Sequence, residues 1–231
     1  MDNPRRKPAV IVSPTGLEMK PLMPAITRQD FPCLVCGLGA ASTALHLTRF
    51  MEQAGPHMVI LAGTAGCYRR SGAEPGDVCI ATSETFGDLG RCGPGGYEPI
   101  HMDGQDISLE FELESVWRKI IPEAFLERHG MLSGPMVSLS CITGSEDQAE
   151  VLYERHRAVA ENMEGAAAAQ VCAFYGVPLL EFRAISNYAG DLCKRNWELD
   201  RALDSLAEIL TELLESQAIK QQWQYQDNET I

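Results

Sequence analysis

The stretch His57-Met58-Val59-Ile60-Leu61-Ala62-Gly63-Thr64-Ala65-Gly66 decides the fold of this chain. Positions 58–62 are continuously apolar, and the glycines that follow predict a turn. A strand without polar alternation is buried on both faces, as in the parallel sheets of α/β proteins. The stretch therefore predicts a strand of a sheet that is covered on both sides.

Apolar runs of the same kind recur outward from this stretch, and helices separate them. Further strands are predicted at 9–12, 33–36, 76–85, 130–142, 159–161 and 178–186. Helices are predicted before Gly55, over 164–175 and over 199–213. The alternation predicts a single-domain, three-layer α/β/α fold with a mostly parallel, mixed central sheet. We expect this domain to span residues 1–216 and a polar C-terminal tail to follow over 217–231.

The charge balance argues against large anionic partners. The chain has 32 acidic and 19 basic residues, which gives a formal net charge of −13. Such a surface repels phosphate backbones and anionic lipid, so neither nucleic acid nor a membrane is expected as a partner. The apolar run after Arg5-Arg6-Lys7 is too short for an export signal, and we therefore expect a cytoplasmic protein.

Two local motifs point away from metal and dinucleotide binding. Cys33 and Cys36 form a C-x-x-C in a predicted strand, where side chains three apart point to opposite faces. Gly37-Leu38-Gly39 lacks the third glycine of the dinucleotide fingerprint, because position 42 is serine. We therefore expect no metal and no cofactor. Gly37 remains a candidate for a turn whose backbone amides approach an oxygen-rich ligand.

Three polar side chains follow three predicted strands. Glu18 comes after the first strand, Glu164 begins the Ala-rich helix, and Asn187 ends a later strand. Because α/β sheets bind ligands at the carboxyl ends of their strands, we expect these groups to converge on one cleft. Taken alone, Glu164 is also explained as a surface carboxylate at a helix N-terminus. Glu181 and Arg183, on the same strand face as Asn187 by alternation, are also explained as a structural ion pair.

Five short motifs occur in a characteristic order along the chain. They are Gly37-Leu38-Gly39, Leu61-Ala62-Gly63-Thr64-Ala65-Gly66, Gly76-Asp77-Val78, Asn162-Met163-Glu164-Gly165 and Arg183-Ala184-Ile185-Ser186-Asn187. In this order they resemble the motifs of the nucleoside phosphorylase/nucleosidase superfamily, over about residues 9–215. Within it, residues 186–191 together with Trp197 are most similar to the futalosine hydrolases. The resemblance implies hydrolysis of an N-ribosyl bond that releases hypoxanthine from futalosine in menaquinone biosynthesis.

The resemblance also implies roles on the sugar side of a site. Glu18 matches the carboxylate that activates the attacking water, and Arg183 matches an arginine near that carboxylate. Met163 and Glu164 match a Met-Glu pair whose carboxylate holds the ribose hydroxyls. The residues that match the turn lining the water and ribose region are Thr64 and Gly66.

On the base side, the resemblance assigns three further residues. Cys141 stands where relatives usually have an aromatic stacking partner, and Ile142 matches the residue whose backbone faces the base. Asn187 matches the residue that addresses the purine N7, which is an aspartate acting as an acid in adenine-specific relatives. An amide cannot act as a general acid, but it can donate a hydrogen bond to O6. The asparagine therefore favours a 6-oxopurine, hypoxanthine, over adenine as the leaving group.

Three alternatives stay open at this point. Phosphorylases of the superfamily carry an arginine before the glycine turn, where this chain has Leu61-Ala62, so hydrolysis is favoured over phosphorolysis. Arg69-Arg70, beyond the turn, are expected in a solvated loop. The second alternative is a methylthioadenosine/S-adenosylhomocysteine or aminodeoxyfutalosine nucleosidase. The third is a non-catalytic nucleoside-binding protein.

The resemblance implies a small-molecule nucleoside as the ligand and a homo-oligomer, a dimer or larger, as the assembly. Residues 90–107 form a long segment rich in glycine and proline. Long loops in compact folds are lids, binding loops or interface segments. This segment is therefore the candidate for closing over the carboxyphenyl tail of the substrate.

Overall fold

The computed structural model describes residues 9–93, 96–98 and 109–216. Within these ranges the strands are β1 (Ala9–Ser13), β2 (Cys33–Val35), β3 (Met58–Cys67), β4 (Val78–Phe86), β5 (Arg91–Gly93), β6 (Gly96–Glu98), β7 (Glu110–Glu112), β8 (Leu132–Ser138), β9 (Ala160–Asn162) and β10 (Leu179–Tyr188). The α-helices are α1 (Gly16–Met19), α2 (Met23–Gln29), α3 (Ala40–Ala54), α4 (Glu114–Trp117), α5 (Glu123–His129), α6 (Glu146–His156), α7 (Gly165–Tyr175) and α8 (Leu199–Glu215). Short 3-10 helices cover Lys20–Leu22, Arg69–Ser71 and Lys194–Asn196.

The central sheet has the strand order β10-β4-β8-β9-β3-β1-β2. In addition, β7 pairs with residues 83–85 of β4. Because β10 also pairs with β3, the strands β3, β10, β4, β8 and β9 form a closed ring. The pairs β1–β2, β1–β3, β10–β3, β4–β8 and β8–β9 are parallel, whereas β10–β4, β3–β9 and β4–β7 are antiparallel. The prediction of a mostly parallel, mixed sheet is confirmed.

Successive residues of the buried strands enter two different cores. Ile11 and Ile60 pack with α2, α4, α5 and α8 on one side of the sheet. Val10 and Val59 pack with α3 and α7 on the other side. This alternation follows from the period of two in a strand, and it requires apolar residues at every position. The predicted three-layer α/β/α architecture is confirmed.

The two helices on this second side of the sheet, α3 and α7, end where their sequences predict. Gly55 follows α3 with φ 54°, and Gly176 follows α7 with φ 64°. Both are in the left-handed conformation that glycine adopts without steric cost, and in both cases the backbone N–H bonds back into the last helical turn. The stops fix where the following strands begin.

The predicted turn at Gly63–Gly66 is wrong, because these residues continue β3 as far as Cys67. Both flanks of the segment are paired: Gly63 lies beside Arg183, and Gly66 lies beside Asn187 on one side and Glu161 on the other. The glycines serve close approach instead. A Cβ at Gly63 would lie 2.8 Å from Nη1 of Arg183 and 3.1 Å from Oε1 of Glu18.

Other boundaries also differ from the prediction. The strand predicted over 130–142 ends at Ser138, and a loop then leads into α6, which the sequence patterns did not indicate. In the segment 90–107, β5 and β6 form a small hairpin, whereas most of the segment lies outside the described residues. The predicted tail, 217–231, also lies outside them, so the division into domain and tail stays a prediction. None of the helices in the described ranges combines the length and apolar character needed to cross a bilayer.

Candidate active site

A cavity lies at the ends of β1, β3, β9 and β10. Its walls carry most of the residues that the sequence singles out. Eight of the ten predicted site residues line it: Glu18, Thr64, Gly66, Cys141, Ile142, Met163, Glu164 and Asn187. Gly37 and Arg183 do not line it, and their positions are described below. The structure thus brings together side chains from both halves of the chain.

Glu18 lies in the single turn of α1, whose N-cap is Thr15. Its Oε1 accepts hydrogen bonds from the backbone N–H of Thr64 at 2.8 Å and from the Thr64 hydroxyl at 2.9 Å. Its Oε2 accepts from the Thr15 hydroxyl at 2.7 Å. The side chain is only 6% exposed, yet it borders the cavity. A carboxylate oriented in this way can accept a proton from a bound water.

Glu164 immediately precedes α7, where its backbone forms the N-cap. Its Oε1 accepts the backbone N–H of Gly39 at 2.9 Å, and its Oε2 accepts from Nη1 of Arg183 at 3.2 Å. Only 3% of the residue is exposed, so the reading as a surface carboxylate is wrong. The preformed contacts hold one carboxylate at the cavity wall, where hydroxyl groups of a ligand can donate to it.

The glycine turn before α3 donates a backbone hydrogen bond to this carboxylate. Gly39 has φ 82° and directs its N–H toward Glu164. Gly37 has φ 85°, and a Cβ there would lie 2.9 Å from Cβ of Ser42. The structure therefore places Gly37 in a tight turn against α3, away from the cavity.

Arg183 is fully buried beneath the cavity wall. Its Nε donates to Glu181 at 2.8 Å and its Nη2 donates to Asn162 at 3.1 Å, in addition to the contact with Glu164. The Glu181–Arg183 ion pair that alternation suggested is present. The guanidinium also lies near Glu18, since a Cβ at Gly63 would approach both groups, but its ion pairs go to Glu164 and Glu181.

Asn187 follows a β-bulge in β10, where the register shifts between Ile185 and Asn187. The bulge breaks the alternation, so the prediction that Asn187 shares a face with Arg183 is wrong. The amide Oδ1 accepts from the Ser186 hydroxyl at 2.7 Å, and Nδ2 donates to the carbonyl of Tyr188 at 3.0 Å. With the amide assigned from these contacts, the second Nδ2 hydrogen is left for a ligand in the cavity.

Sequence reasoning gave no role to Glu161, which also borders the cavity. It accepts the backbone N–H of Thr143 at 3.0 Å, the Thr143 hydroxyl at 2.5 Å and the Tyr68 hydroxyl at 3.1 Å. Burial raises the pKa of the Glu161 carboxyl, while the hydrogen bonds from Thr143 and Tyr68 act in the opposite direction. Its place directly before Asn-Met-Glu was the available signal. Trp197 and Leu199, at the other wall, were also missed as lining residues.

Glu84 is a second buried carboxyl that the sequence did not reveal. It accepts hydrogen bonds from Ser138, at 3.0 Å, and from Asn162. Burial raises its pKa well above the usual glutamate range, and the nearby charge of Glu181 raises it further, against the effects of Arg183 and Asn162. A protonated Glu84 fits this network. If Glu84 were charged, it and Glu181 would share the guanidinium of Arg183, which is already paired with Glu164.

Replacing Glu84 with glutamine is expected to change the pH dependence of stability. Because the folded-state pKa is raised, the native protein binds more protons than the unfolded chain above the ordinary glutamate pKa. The free energy of unfolding of the wild type therefore decreases as pH rises through this window. The glutamine of E84Q does not titrate, so its contribution does not change with pH. Urea unfolding at pH 5, 6.5 and 8 should show E84Q gaining stability relative to wild type as pH increases. A difference independent of pH would contradict the assignment.

Comparison with known proteins places this geometry in a wider group. A family model described as the Phosphorylase superfamily matches residues 18–215. The chain is 32% identical over 200 residues to the futalosine hydrolase of Streptomyces coelicolor, covering 82% of this chain and 83% of that protein. It is 27% identical over 196 residues to the 5'-methylthioadenosine/S-adenosylhomocysteine nucleosidase of Staphylococcus carnosus, covering 83% and 84%.

A solved structure shows the same fold. The futalosine hydrolase of Helicobacter pylori superposes with a TM-score of 0.77 at 18% sequence identity, and the match covers 91% of this chain and 98% of that one. The matched range, residues 18–215, contains Glu18, Met163, Glu164 and Asn187. On the sequence match and the identity to its relatives, the chain belongs to the Phosphorylase superfamily.

Proposed function

We propose that this protein is a nucleosidase that hydrolyses the N-ribosyl bond of futalosine, with hypoxanthine as the leaving base. The observation that carries the proposal is the arrangement of Glu18, Glu164 and Asn187 around one cavity. Two carboxylates suit the water and the sugar, and the carboxamide suits a base with an oxo group. The relatives named futalosine hydrolase support the same substrate.

The mechanism assigns one task to each of the three groups. Glu164 accepts hydrogen bonds from the ribose hydroxyls and stabilises the oxocarbenium charge that develops as the C1'–N9 bond breaks. The bonding electrons leave with hypoxanthine as an anion, which the free N–H of Asn187 stabilises by a hydrogen bond and which then takes a proton from solvent. Water adds to C1', and Glu18 takes its proton. A preorganised electrostatic group of this kind typically contributes about 3–4 kcal/mol to lowering the barrier.

The charge of the cavity supports water rather than phosphate as the nucleophile. Among the residues that line it in the described ranges, none is lysine or arginine. Arg69 pairs with Glu146 at 3.2 Å, and Arg70 pairs with Glu150 and Glu154 of α6. Both arginines are about half exposed on that surface, in agreement with the predicted solvated loop. A phosphate dianion would therefore meet three carboxylates, those of Glu18, Glu161 and Glu164, and no lysine or arginine at the wall.

The hydrogen-bonding pattern of Asn187 supports a 6-oxopurine. One Nδ2 hydrogen donates to Tyr188, so the second makes the side chain a donor toward the cavity, while Oδ1 already accepts the Ser186 hydroxyl. N7 is an acceptor in both bases, but position 6 carries an acceptor oxygen in hypoxanthine and a donor amino group in adenine, so a donor directed at position 6 favours hypoxanthine. The rival substrate class is that of the methylthioadenosine/S-adenosylhomocysteine nucleosidases, because relatives with that name reach 27–28% identity.

The test compares futalosine with its 6-amino analogue, each with and without inorganic phosphate, with products separated by chromatography. We expect hypoxanthine and free dehypoxanthine futalosine from the first substrate, at a rate that phosphate does not change. Faster turnover of the 6-amino substrate would contradict the Asn187 argument. A requirement for phosphate would indicate phosphorolysis. Binding of hypoxanthine without turnover of any nucleoside would favour the non-catalytic alternative.

We further propose the cofactor requirement, the cellular location and the oligomeric state of the enzyme. A purine nucleosidase of this kind needs no metal or organic cofactor, works on a small nucleoside in the cytoplasm and supplies menaquinone biosynthesis. A homo-oligomer, a dimer or larger, is supported by apolar side chains at the cavity rim. Leu17, Leu38 and Ile142 are 57%, 65% and 49% exposed there. Burying these side chains against a second copy would remove apolar surface from water.

A further inference from the structure

Three adjacent strands place Asn187, Gly66 and Glu161 side by side. Asn187 of β10 pairs with Gly66 of β3, and Gly66 pairs with Glu161 of β9. Neighbouring strands lie ~4.8 Å apart, so the two outer residues are about 10 Å apart at the backbone. Gly66 leaves the floor between them open, because a Cβ there would lie 3.2 Å from Nδ2 of Asn187. All three residues line the cavity.

Glu161 is built as a hydrogen-bond acceptor. Two hydroxyls, those of Thr143 and Tyr68, approach Oε2, and the backbone N–H of Thr143 approaches Oε1. A carboxylate oxygen accepts about two hydrogen bonds, so Oε1 retains capacity for one more donor. The side chain is 6% exposed, and the cavity is the direction from which a further donor can reach it.

We propose that Glu161 contacts the leaving base and selects 6-oxopurines by accepting their lactam N1–H. This inference rests on the proposed function, because it names the group of the same cavity that reads the base. A 6-oxopurine offers acceptors at O6 and N7 and a donor at N1, which complements the amide N–H of Asn187 and the carboxylate of Glu161. A 6-aminopurine offers the reverse pattern at positions 1 and 6. Both of its groups would face a like partner, which excludes it by repulsion as well as by lost bonds.

The test measures kcat/KM for futalosine and for its 6-amino analogue in wild type and in Glu161→Gln. Glutamine with its oxygen at the Oε2 position still accepts from the hydroxyls of Thr143 and Tyr68, and its amide N–H then stands at the Oε1 position, where it can donate to N1 of the 6-amino base. We expect the ratio of 6-oxo to 6-amino kcat/KM to fall by at least about 10-fold, since sites built to hydrogen-bond a substrate group discriminate strongly. The control is Tyr68→Phe, which removes one hydrogen bond to the carboxylate and should leave the ratio unchanged.

An equal loss for both substrates in Glu161→Gln would overturn the proposal, because a residue that only holds Thr143 would act on both alike. Binding of free bases separates this result from a failure of the proposed function. By calorimetry, wild type should bind hypoxanthine at least about 10-fold more tightly than adenine or 1-methylhypoxanthine, which lack the N1–H. If no nucleoside is hydrolysed but this preference is present and is lost in Glu161→Gln, the base-reading role stands and the hydrolase assignment fails. If the wild type binds the three bases equally, or binds none of them, the proposed contact between Glu161 and the base is overturned by the wild-type data alone.

Discussion

Replacing Glu18 with glutamine is expected to lower kcat by about 10²–10⁴-fold while the protein still folds and binds its substrate. Glutamine can retain the contact with the backbone N–H of Thr64 through its oxygen, and its amide can donate to the Thr15 hydroxyl. The geometry is kept, but the amide cannot accept a proton from water. Glu164 and Asn187 are untouched, so the dissociation constant for the nucleoside should change little. Single-turnover kinetics together with calorimetric titration would check both parts.

The matched control for this variant is Thr15→Val. It removes the hydroxyl that donates to Oε2 of Glu18 but leaves the carboxylate in place. Valine has nearly the same shape, so we expect a loss in kcat that is much smaller than in E18Q. Undiminished turnover in E18Q would remove Glu18 from its role in activating water. A large loss of binding without a change in kcat would instead assign it to substrate binding.

Replacing Gly165 with alanine is expected to destabilise the fold by about 3–5 kcal/mol, the range for disruption of a buried ion pair. Gly165 is the first residue of α7, and a Cβ there would collide with the carboxyl groups of Glu84 and Glu181. Both groups are fully buried and belong to the network around Arg183, so neither can move away into water. Chemical denaturation, with the midpoint and slope fitted separately, would measure the loss.

Gly16→Ala is the matched control for the stability experiment. Gly16 is also the first residue of a helix, α1, and a Cβ there would meet nothing within 4 Å. Alanine has the higher helix propensity, so this variant should be neutral or slightly more stable than wild type. Equal effects of the two substitutions would show that the collision with the carboxyl groups does not determine stability.

Much of the architecture could be predicted because its strands are apolar at every position. The runs around Val10, Ile60 and Leu180 are covered on both faces, and continuous hydrophobicity is the signature of that environment. The placement of Glu18 and Asn187 at one cavity followed from their position at strand ends. Their chemical roles remain predictions.

The remaining features depend on pairing between distant strands, which local patterns do not encode. The bulge before Asn187 arises where β10 is matched against β3, and alternation alone gave the wrong face. Gly63 and Gly66 looked like a turn because glycine commonly marks turns, whereas here it makes room for side chains of neighbouring elements. Glu84 lies in an apolar strand, and only the fold shows that its neighbours are other charged groups.

The closed ring of five strands has a consequence for synthesis of the protein on the ribosome. Its last member, β10, ends at Tyr188, late in the chain, and it joins β3 to β4. Until β10 has left the ribosome, the edges of β3 and β4 that pair with it are exposed. Exposed strand edges can pair with other chains. Asn187, which lines the cavity, lies on the same strand. Closure of the ring and assembly of the cavity are therefore completed together, late in the synthesis and folding of the chain.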